Sequence, residues 1–349
     1  MDRKEAALIA AIFVFTLALH AVDIDKPYET WDEITTYSVG LNLWYNIAHL
    51  DFSPDSWSAS PHPPFARYAY GLVNGVYLVS QRGLSVLNSG YDTAVMTMYE
   101  LKNFVPGRAL SAVLAALTSV MAFLISRNRF GLRIAASAAF MFAALPAVLA
   151  QTRIATIDAM LVFMFTLSVC LFVKGMKNKK WFYASAVVAG LTLSTKLNAI
   201  FLFLLLPFVY YAEGGRFRRI DAVIYPMISV VAFFASWPRL WSDPIGFITG
   251  SVSFWSGYTN ISEFFLGSLQ HPFYYALAYV AVTTPVIILA LLAVGVLKAS
   301  KFRECRTFLA WLFVPLLAYT ALLMLKPETA SQGGSRYVFM TYQIGRAHV

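Results

Sequence analysis

The chain contains 349 residues, with 27 Lys and Arg against 18 Asp and Glu and a formal net charge of +9. Only 13% of residues are charged, 59% are hydrophobic, and the mean hydropathy is +0.63. Soluble domains have about a quarter of their residues charged, so this composition excludes an ordinary cytosolic enzyme. The basic residues are too sparse for a nucleic-acid interface, and two cysteines are too few for a disulfide framework or a cysteine-based metal site.

Long apolar segments predict an all-α polytopic membrane protein. A bilayer core about 30 Å thick needs about 20 apolar residues per helix. On that criterion the sequence predicts about nine transmembrane helices, near residues 6–22, 104–126, 133–150, 156–173, 181–196, 198–212, 220–237, 273–297 and 307–325. No repeat or change of composition divides the chain, so we predict one membrane-embedded domain over residues 1–349. A cleaved signal peptide is the alternative for the first span, since Arg3 and Lys4 precede it.

Basic residues predict which helix ends share a side of the membrane. More than half of the 27 lie in the N-terminus and in the connectors at 127–133, 174–180, 216–219 and 298–306. If these segments face the cytoplasm, as basic connectors usually do, nine spans alternate without contradiction. Residues 23–103 then form a long first external loop, and residues 238–272 form a second one. The stretch from Phe65 to Val79 is short for a span, so we expect a juxtamembrane helix there, with a true crossing as the alternative.

The ionisable residues outside the basic connectors share the external side of this topology. Such groups are costly beside lipid, so each one is a candidate functional residue. Their common depth favours an active site at the outer membrane face, because a transporter more often places its ionisable groups near the middle of the bilayer. The main members are Asp32, Glu33, His62, Arg108, Arg153, Asp158, Lys196, His271 and Arg336.

Two short motifs carry the most information. Asp32 and Glu33 follow the first span, among aromatic residues at the lipid boundary, where a carboxylate can serve as a general base. Local chemistry allows a second interpretation, because acidic residues also cap helix N-termini. His62 precedes Pro63 and Pro64, which stiffen the backbone and mark the boundary of a helix.

Taken in order, these motifs resemble the protein O-mannosyltransferase family of membrane glycosyltransferases and the related bacterial enzymes that glycosylate lipid A. The family has an Asp-Glu pair at the start of the first external loop, then a His-Pro-Pro or Lys-Pro-Pro motif. An Arg at the head of the next span, an Arg…Asp pair on a later one and a Pro-Tyr-Tyr stretch follow. The matching residues are Asp32-Glu33, His62-Pro63-Pro64, Arg108, Arg153 with Asp158, and Pro272-Phe273-Tyr274-Tyr275. The resemblance covers most of the chain.

The resemblance implies a GT-C fold and a sugar donor built on a polyprenyl or dolichyl phosphate. It implies inverting transfer of a hexose to an acceptor hydroxyl, on protein Ser or Thr, at the extracytoplasmic side of the cell membrane. Asp32 and Glu33 are then the candidate catalytic residues, with Asp32 as general base. The candidate substrate-binding residues are His62, Arg108, Asp158, Lys196, His271 and Arg336. Pairing of Asp158 with Arg153, and extension of Lys196 to the lipid interface, are the structural alternatives.

Some relatives bind a divalent metal through a Glu beside the Lys-Pro-Pro motif. Ser60 and Pro61 stand there in this chain, so no obligatory metal is expected, although a site made by Glu33, His62 and His271 stays open. The chain stops twelve residues after Tyr337, and the final residues, Ile344 to Val349, do not continue an apolar helix, so we expect a truncated C-terminus. Three other functions also stay open: a transferase with a lipid or glycan acceptor, a transporter of lipid-linked sugars, and a non-catalytic membrane subunit.

Overall fold

A computed structural model describes residues 3–27, 30–53, 62–85, 103–215, 219–258, 274–299, 302 and 305–325. Within these ranges every regular element is a helix, as the composition predicts. The helices are α1 (Arg3–Ala21), α2 (Trp31–Ala48), α3 (Phe65–Arg82), α4 (Val105–Ala143), α5 (Pro146–Thr152), α6 (Ile157–Gly175), α7 (Lys179–Leu193), α8 (Ile200–Ala212), α9 (Arg219–Ala235), α10 (Arg239–Ser242), α11 (Pro244–Tyr258), α12 (Tyr275–Thr283), α13 (Val286–Ala299) and α14 (Arg306–Leu325). A short 3-10 turn, Leu197–Ala199, precedes α8.

Three of the described helices, α1, α4 and α6, are long and apolar enough to cross a membrane. Four shorter apolar helices cover Leu197–Ala212, Ile220–Ala235, Val286–Lys298 and Arg306–Ala321. All seven coincide with predicted spans, while the total of nine stays a prediction. The helices α2 and α3 lie in the predicted first external loop, where juxtamembrane helices are expected.

Helix α4 consists of two arms that meet at Gly131. This glycine has φ 79° and ψ 170°, a backbone conformation that residues with a Cβ rarely adopt. Arg127, before the turn, pairs with Glu5 at the start of α1, whereas the carbonyl of Ala143, after the turn, accepts a hydrogen bond from His20 near the end of α1. The chain therefore reverses at Gly131, as expected for the two separate spans predicted at 104–126 and 133–150.

The predicted span at 273–297 consists of two helices in the described residues, because the chain breaks between α12 and α13. Thr284 has an extended backbone, with φ −105° and ψ 127°. Pro285 follows it, and a proline disfavours the helical conformation of the residue before it. The apolar composition of the segment therefore predicts apolar helices, while the position of Pro285 determines where the helix breaks.

Ion pairs and hydrogen bonds join the basic connectors at one end of the bundle, which we call the basic end. Each contact links two connectors, or a connector and a neighbouring helix end. The contacts are Glu5 with Arg127, Arg129 with Glu213, Thr307 with Glu213, and Lys179 with Asp221. The described residues in and beside these connectors therefore group at one end of the bundle, and their assignment to the cytoplasm stays a prediction.

Helices α2 and α3 cross at a glycine contact. A Cβ added to Gly71 would lie 2.3 Å from the backbone carbonyl carbon of Gly40, so the two backbones touch. One turn away, the indole N–H of Trp44 donates a 2.7 Å hydrogen bond to the carbonyl of Tyr68. Small residues allow such close approach of helices in membrane proteins. The contact fixes α3 against α2, and both helices carry candidate site residues near their N-termini.

The variant Gly71→Ala is expected to lower the free energy of unfolding by about 1–3 kcal/mol, because its Cβ would overlap the α2 backbone. Gly75→Ala is a matched control on the same helix, since the nearest atom to its Cβ is Leu41 Cδ2 at 3.7 Å. Thermal unfolding in detergent would measure both. Equal melting temperatures for the two variants would contradict the glycine contact.

Candidate active site

The candidate site lies at the end of the bundle opposite the basic end, which we call the site end. Helices α2, α3, α4 and α6 begin there, and the turn between α7 and α8 lies beside them. Six of the eight candidate residues fall within the described chain: Asp32, Glu33, His62, Arg108, Asp158 and Lys196. His271 and Arg336 lie outside the described residues.

Glu33 completes the N-terminal cap of α2. The Thr30 side chain accepts a hydrogen bond from the Glu33 N–H at 3.3 Å, and Glu33 Oε2 accepts one from the Thr30 N–H at 3.2 Å. This reciprocal arrangement is a capping box, which satisfies backbone donors at the start of a helix. The capping interpretation of the Asp-Glu motif is therefore confirmed for Glu33.

Glu33 also forms a buried ion pair with Arg108 at the start of α4. Arg108 Nε and Nη2 donate to the two carboxylate oxygens at 2.7 and 2.9 Å, and the Ala155 N–H donates to Glu33 Oε1 at 2.9 Å. Arg108 Nη1 donates to the Ile24 carbonyl at 3.0 Å. The side chains are 0% and 2% exposed, for Glu33 and Arg108 respectively. One carboxylate thus joins α2, α4 and the loop before α6.

These contacts favour a positioning role for both residues. The Glu33 oxygens accept four hydrogen bonds, so little capacity is left to take a proton from a substrate. Three of the five guanidinium N–H groups of Arg108 donate to Glu33 and Ile24. The catalytic assignment of Glu33 and the phosphate assignment of Arg108 stay predictions, and neither gains support from this geometry.

Asp32 is placed differently from its neighbour. It lies in the first turn of α2, is only half-buried, and takes no part in the capping box. Its negative charge acts on Arg67 of α3, whose side chain is buried. Burial lowers the pKa of the Arg67 guanidinium to about 10, and Asp32 opposes that shift. Arg67 is therefore protonated at neutral pH, and a cation accompanies the candidate base.

Sequence reasoning did not select Arg67 as a functional residue. It lies inside the segment from Phe65 to Val79, for which the sequence predicts a juxtamembrane helix, and the structure places it on the buried face of α3. The available signal was a basic residue three positions after Pro64, on the same helix face as Gly71, Asn74 and Leu78. A cation at such a position is costly unless a partner is near.

The His-Pro-Pro motif lies against the turn between α7 and α8. Pro63 and Pro64 are buried, and the first N–H of α3, from Phe65, donates to the Ser194 carbonyl at 2.9 Å. Lys196 is two residues further along that turn. The proline motif therefore brings partly buried His62 to the same end of the bundle as Lys196.

Lys196 forms an ion pair with Asp158, the second residue of α6. Lys196 Nζ lies 2.8 Å from Asp158 Oδ1, and the side chains are 12% and 3% exposed. The alternative pairing of Asp158 with Arg153 is wrong, because Arg153 donates instead to the carbonyl of Val22. Lys196 is held by a carboxylate within the bundle, which argues against simple extension toward the lipid interface.

Hydrogen-bonded tyrosines tie the site helices together. Tyr37 of α2 donates to the Phe104 carbonyl at 2.7 Å, and Gly107 leaves the space for its hydroxyl, since a Cβ there would lie 2.3 Å from the Tyr37 oxygen. Tyr70 of α3 shares a 2.7 Å hydrogen bond with Ser111 of α4. Both tyrosines are buried, so α2, α3 and α4 are held in one register.

The described residues offer no fit for a metal ion. No three His, Cys, Asp or Glu side chains converge within that part of the chain. In the proposed set of Glu33, His62 and His271, the Glu33 oxygens are already engaged, and His271 lies outside the described residues.

The middle of the chain matches a known protein family. The sequence profile of the dolichyl-phosphate-mannose-protein mannosyltransferase family matches residues 52–239, which is more than half of the chain. This range includes His62, Arg108, Asp158 and Lys196. No curated protein matches the sequence.

Two solved structures share the fold. One is the crystal structure of ArnT from Cupriavidus metallidurans bound to undecaprenyl phosphate, with a TM-score of 0.63 and 14% identity over 97% of this chain. The other is the Archaeoglobus fulgidus oligosaccharyltransferase in complex with Zn and sulfate, with a TM-score of 0.56 and 12% identity over 97% of this chain. The match covers 59% of the ArnT chain and 48% of the oligosaccharyltransferase chain. The predicted GT-C membrane fold is confirmed.

Proposed function

This chain belongs to the dolichyl-phosphate-mannose-protein mannosyltransferase family, and we propose on that basis that it is an inverting glycosyltransferase. It moves a hexose, mannose in the first instance, from a polyprenyl or dolichyl phosphate to an acceptor hydroxyl on protein Ser or Thr. The active site is the site end of the bundle, on the extracytoplasmic side of the cell membrane.

Beyond the family match, the structural observation that supports this proposal is that the two adjacent carboxylates have different environments. Glu33 is fully buried and accepts four hydrogen bonds, whereas Asp32 is half-buried at the same end of the bundle. Asp32 is thus the member of the pair that can meet a substrate hydroxyl. A protein that only transported a lipid-linked sugar would not need a half-buried carboxylate such as Asp32 at the site end.

The reaction follows from ordinary group-transfer chemistry. Asp32 accepts the proton of the acceptor hydroxyl. At the same time, the hydroxyl oxygen attacks the anomeric carbon of the sugar from the side opposite the phosphate. The bond between that carbon and the phosphate oxygen breaks, so the configuration inverts and the lipid phosphate gains one negative charge. Lys196 is the described candidate that stabilises this charge, and Arg336 is a second candidate, outside the described residues. Asp158 holds the Lys196 ammonium at the site end.

Membrane location suits such a donor. Several apolar helices make this an integral membrane protein, and a polyprenyl chain must reach the site from within the bilayer. ArnT, which shares the fold, has been crystallised with undecaprenyl phosphate. That ligand belongs to ArnT, and it supports a polyprenyl-phosphate donor for this chain.

The test is glycosyl transfer by the intact protein in reconstituted membranes. The donor is polyprenyl-phosphate mannose, and three acceptors are supplied separately: a peptide containing Ser and Thr, a lipid A acceptor and a glycan. Mannosyl peptide with an inverted anomeric carbon is the expected product. Transfer to the lipid or glycan alone would replace the protein acceptor, while donor binding with no transfer to any acceptor would favour a carrier of lipid-linked sugars.

A further inference from the structure

Arg67 is a buried cation that the proposed reaction does not yet use. It lies in the first turn of α3, three residues after Pro64, and is 3% exposed. A buried guanidinium is strongly disfavoured unless a negative charge or several acceptors accompany it. Burial of the Arg67 guanidinium therefore has a substantial desolvation cost, so we expect this arginine to have a structural or functional role.

The helix faces place Asp32 and Arg67 on the same interface. Asp32, Thr36 and Gly40 are spaced four residues apart, so they share one face of α2. Gly40 makes the backbone contact with α3, and the Cβ that it lacks would lie 2.5 Å from the Arg67 carbonyl oxygen. Arg67 and Gly71 are also four residues apart, on the face of α3 that meets Gly40. Asp32 and Arg67 thus lie on the faces of α2 and α3 that pack against each other.

The backbone that carries Arg67 is held rigidly. Its carbonyl lies against Gly40, and the next carbonyl, of Tyr68, accepts the 2.7 Å hydrogen bond from the Trp44 indole. Ahead of it, Ile34 of α2 packs in one apolar cluster with Phe65 and Tyr70 of α3. Because side chains on a helix lean toward its N-terminus, the Arg67 guanidinium leans toward the His-Pro-Pro end of α3. Asp32, near the N-terminus of α2, is the acidic residue whose charge acts on it.

We infer that Arg67 is a positioning residue for Asp32: from the face of α3, its guanidinium fixes the carboxylate of Asp32 for attack on the acceptor hydroxyl. The two consecutive carboxylates are then divided between two arginines, with Glu33 held by Arg108 and Asp32 by Arg67. This inference rests on the proposed function, because it assigns Asp32 as the base.

The experiment compares Arg67→Ala, Arg67→Lys and Arg67→Gln with wild-type protein in the peptide transfer assay. If Arg67 orients the base, kcat falls about a hundredfold in the alanine variant, while KM for the lipid donor stays near the wild-type value. Arg67→Lys, which keeps the charge, retains more activity than Arg67→Gln, which keeps only some of the length. Arg82→Ala, at the exposed end of the same helix, is the matched control and keeps full activity.

Chemical rescue separates orientation from simple folding. Truncation to alanine leaves a guanidinium-sized space beside Asp32, so millimolar guanidinium is expected to restore part of kcat. Urea, which is neutral and of similar shape, is not expected to do so. Thermal unfolding of each variant is recorded alongside, and the Lys and Gln variants carry the comparison if the alanine variant does not fold.

The outcomes for Arg67 and for Asp32 are distinguishable. Full activity of Arg67→Ala or of Arg67→Gln, together with loss of activity in Asp32→Asn, would overturn the role of Arg67 and leave the proposed function intact. Equal rescue by guanidinium and urea, or equal kcat for the Lys and Gln variants, would also overturn it. Activity that persists in Asp32→Asn would instead remove the assignment of the base, and with it this inference.

Discussion

Replacing Arg108 with Leu is expected to lower the free energy of unfolding by about 3–5 kcal/mol, because it leaves the buried Glu33 carboxylate without its cation. Arg108 supplies two of the four hydrogen bonds that Glu33 accepts, and it also donates to the Ile24 carbonyl. The loss would loosen α1, α2 and α4 at the site end together. Thermal or denaturant unfolding in detergent measures the effect.

A second variant and a control sharpen this test. The double variant Glu33→Leu, Arg108→Leu is expected to recover part of the lost stability, since it no longer buries a lone charge. Recovery is incomplete because the N–H groups of Thr30 and Ala155 lose their acceptor. Lys26→Ala is the control, since the Lys26–Asp23 pair is 68% and 51% exposed and contributes little. Wild-type stability of Arg108→Leu would contradict the account of this pair.

Replacing Asp32 with Asn is expected to lower the rate of sugar transfer by about two to four orders of magnitude, the range that a general base contributes. The amide is almost the same size as the carboxylate but cannot accept the proton of the acceptor hydroxyl. Asp32 is half-buried and lies outside the capping box, so the variant is expected to fold, although it loses some stability because the buried Arg67 guanidinium loses its negative neighbour. Transfer in reconstituted membranes and the binding of the lipid donor are measured on the same preparation.

Asp23→Asn is the matched control for this variant. Asp23 is an exposed carboxylate that follows the same span and pairs with Lys26 at the surface. It is expected to keep the wild-type rate. If Asp23→Asn and Asp32→Asn lost equal activity, the loss would reflect the overall charge of the external face, and Asp32 would not be the base.

The parts of the fold set by local composition could be predicted from the sequence. The apolar segments of α1 and α6, and the common end of the basic connectors, depend on residue types within single stretches. The reversal inside α4 was also predictable, since basic residues flank Gly131 and its positive φ suits a glycine. By contrast, the break before Pro285 depends on one backbone conformation, which a count of apolar residues does not detect.

The sequence predicted a set of candidate residues, six of which the structure describes at one end of the bundle, but it did not predict how they pair. Local chemistry left capping and catalysis open for the Asp-Glu motif. The hydrogen bonds with Thr30 show that Glu33 caps α2, and its contacts with Arg108 and Ala155 are tertiary contacts that the local sequence does not specify. The partner of Asp158 lies 38 positions away, at Lys196, rather than five positions away at Arg153. Such choices depend on helix register, which pattern and spacing do not specify.

Arg67 also shows that the sequence alone does not specify how helices pack. An arginine in a juxtamembrane helix is usually exposed, whereas the contact between Gly40 and Gly71 brings the face that carries Arg67 against α2. Only the packed helices reveal that this arginine is buried. His271 and Arg336 lie outside the described residues, and their roles stay predictions.

The most direct test of the central claim is a side-by-side comparison of Asp32→Asn and Glu33→Gln, neighbours in sequence with different environments. Both peptide mannosylation and thermal stability are measured for each variant. The account predicts that Asp32→Asn folds but is almost inactive, while Glu33→Gln, which disturbs a fully buried carboxylate with four hydrogen bonds, loses more thermal stability than Asp32→Asn. Transfer at the wild-type rate by Asp32→Asn, or unchanged stability of Glu33→Gln, would contradict the division of base and positioning roles.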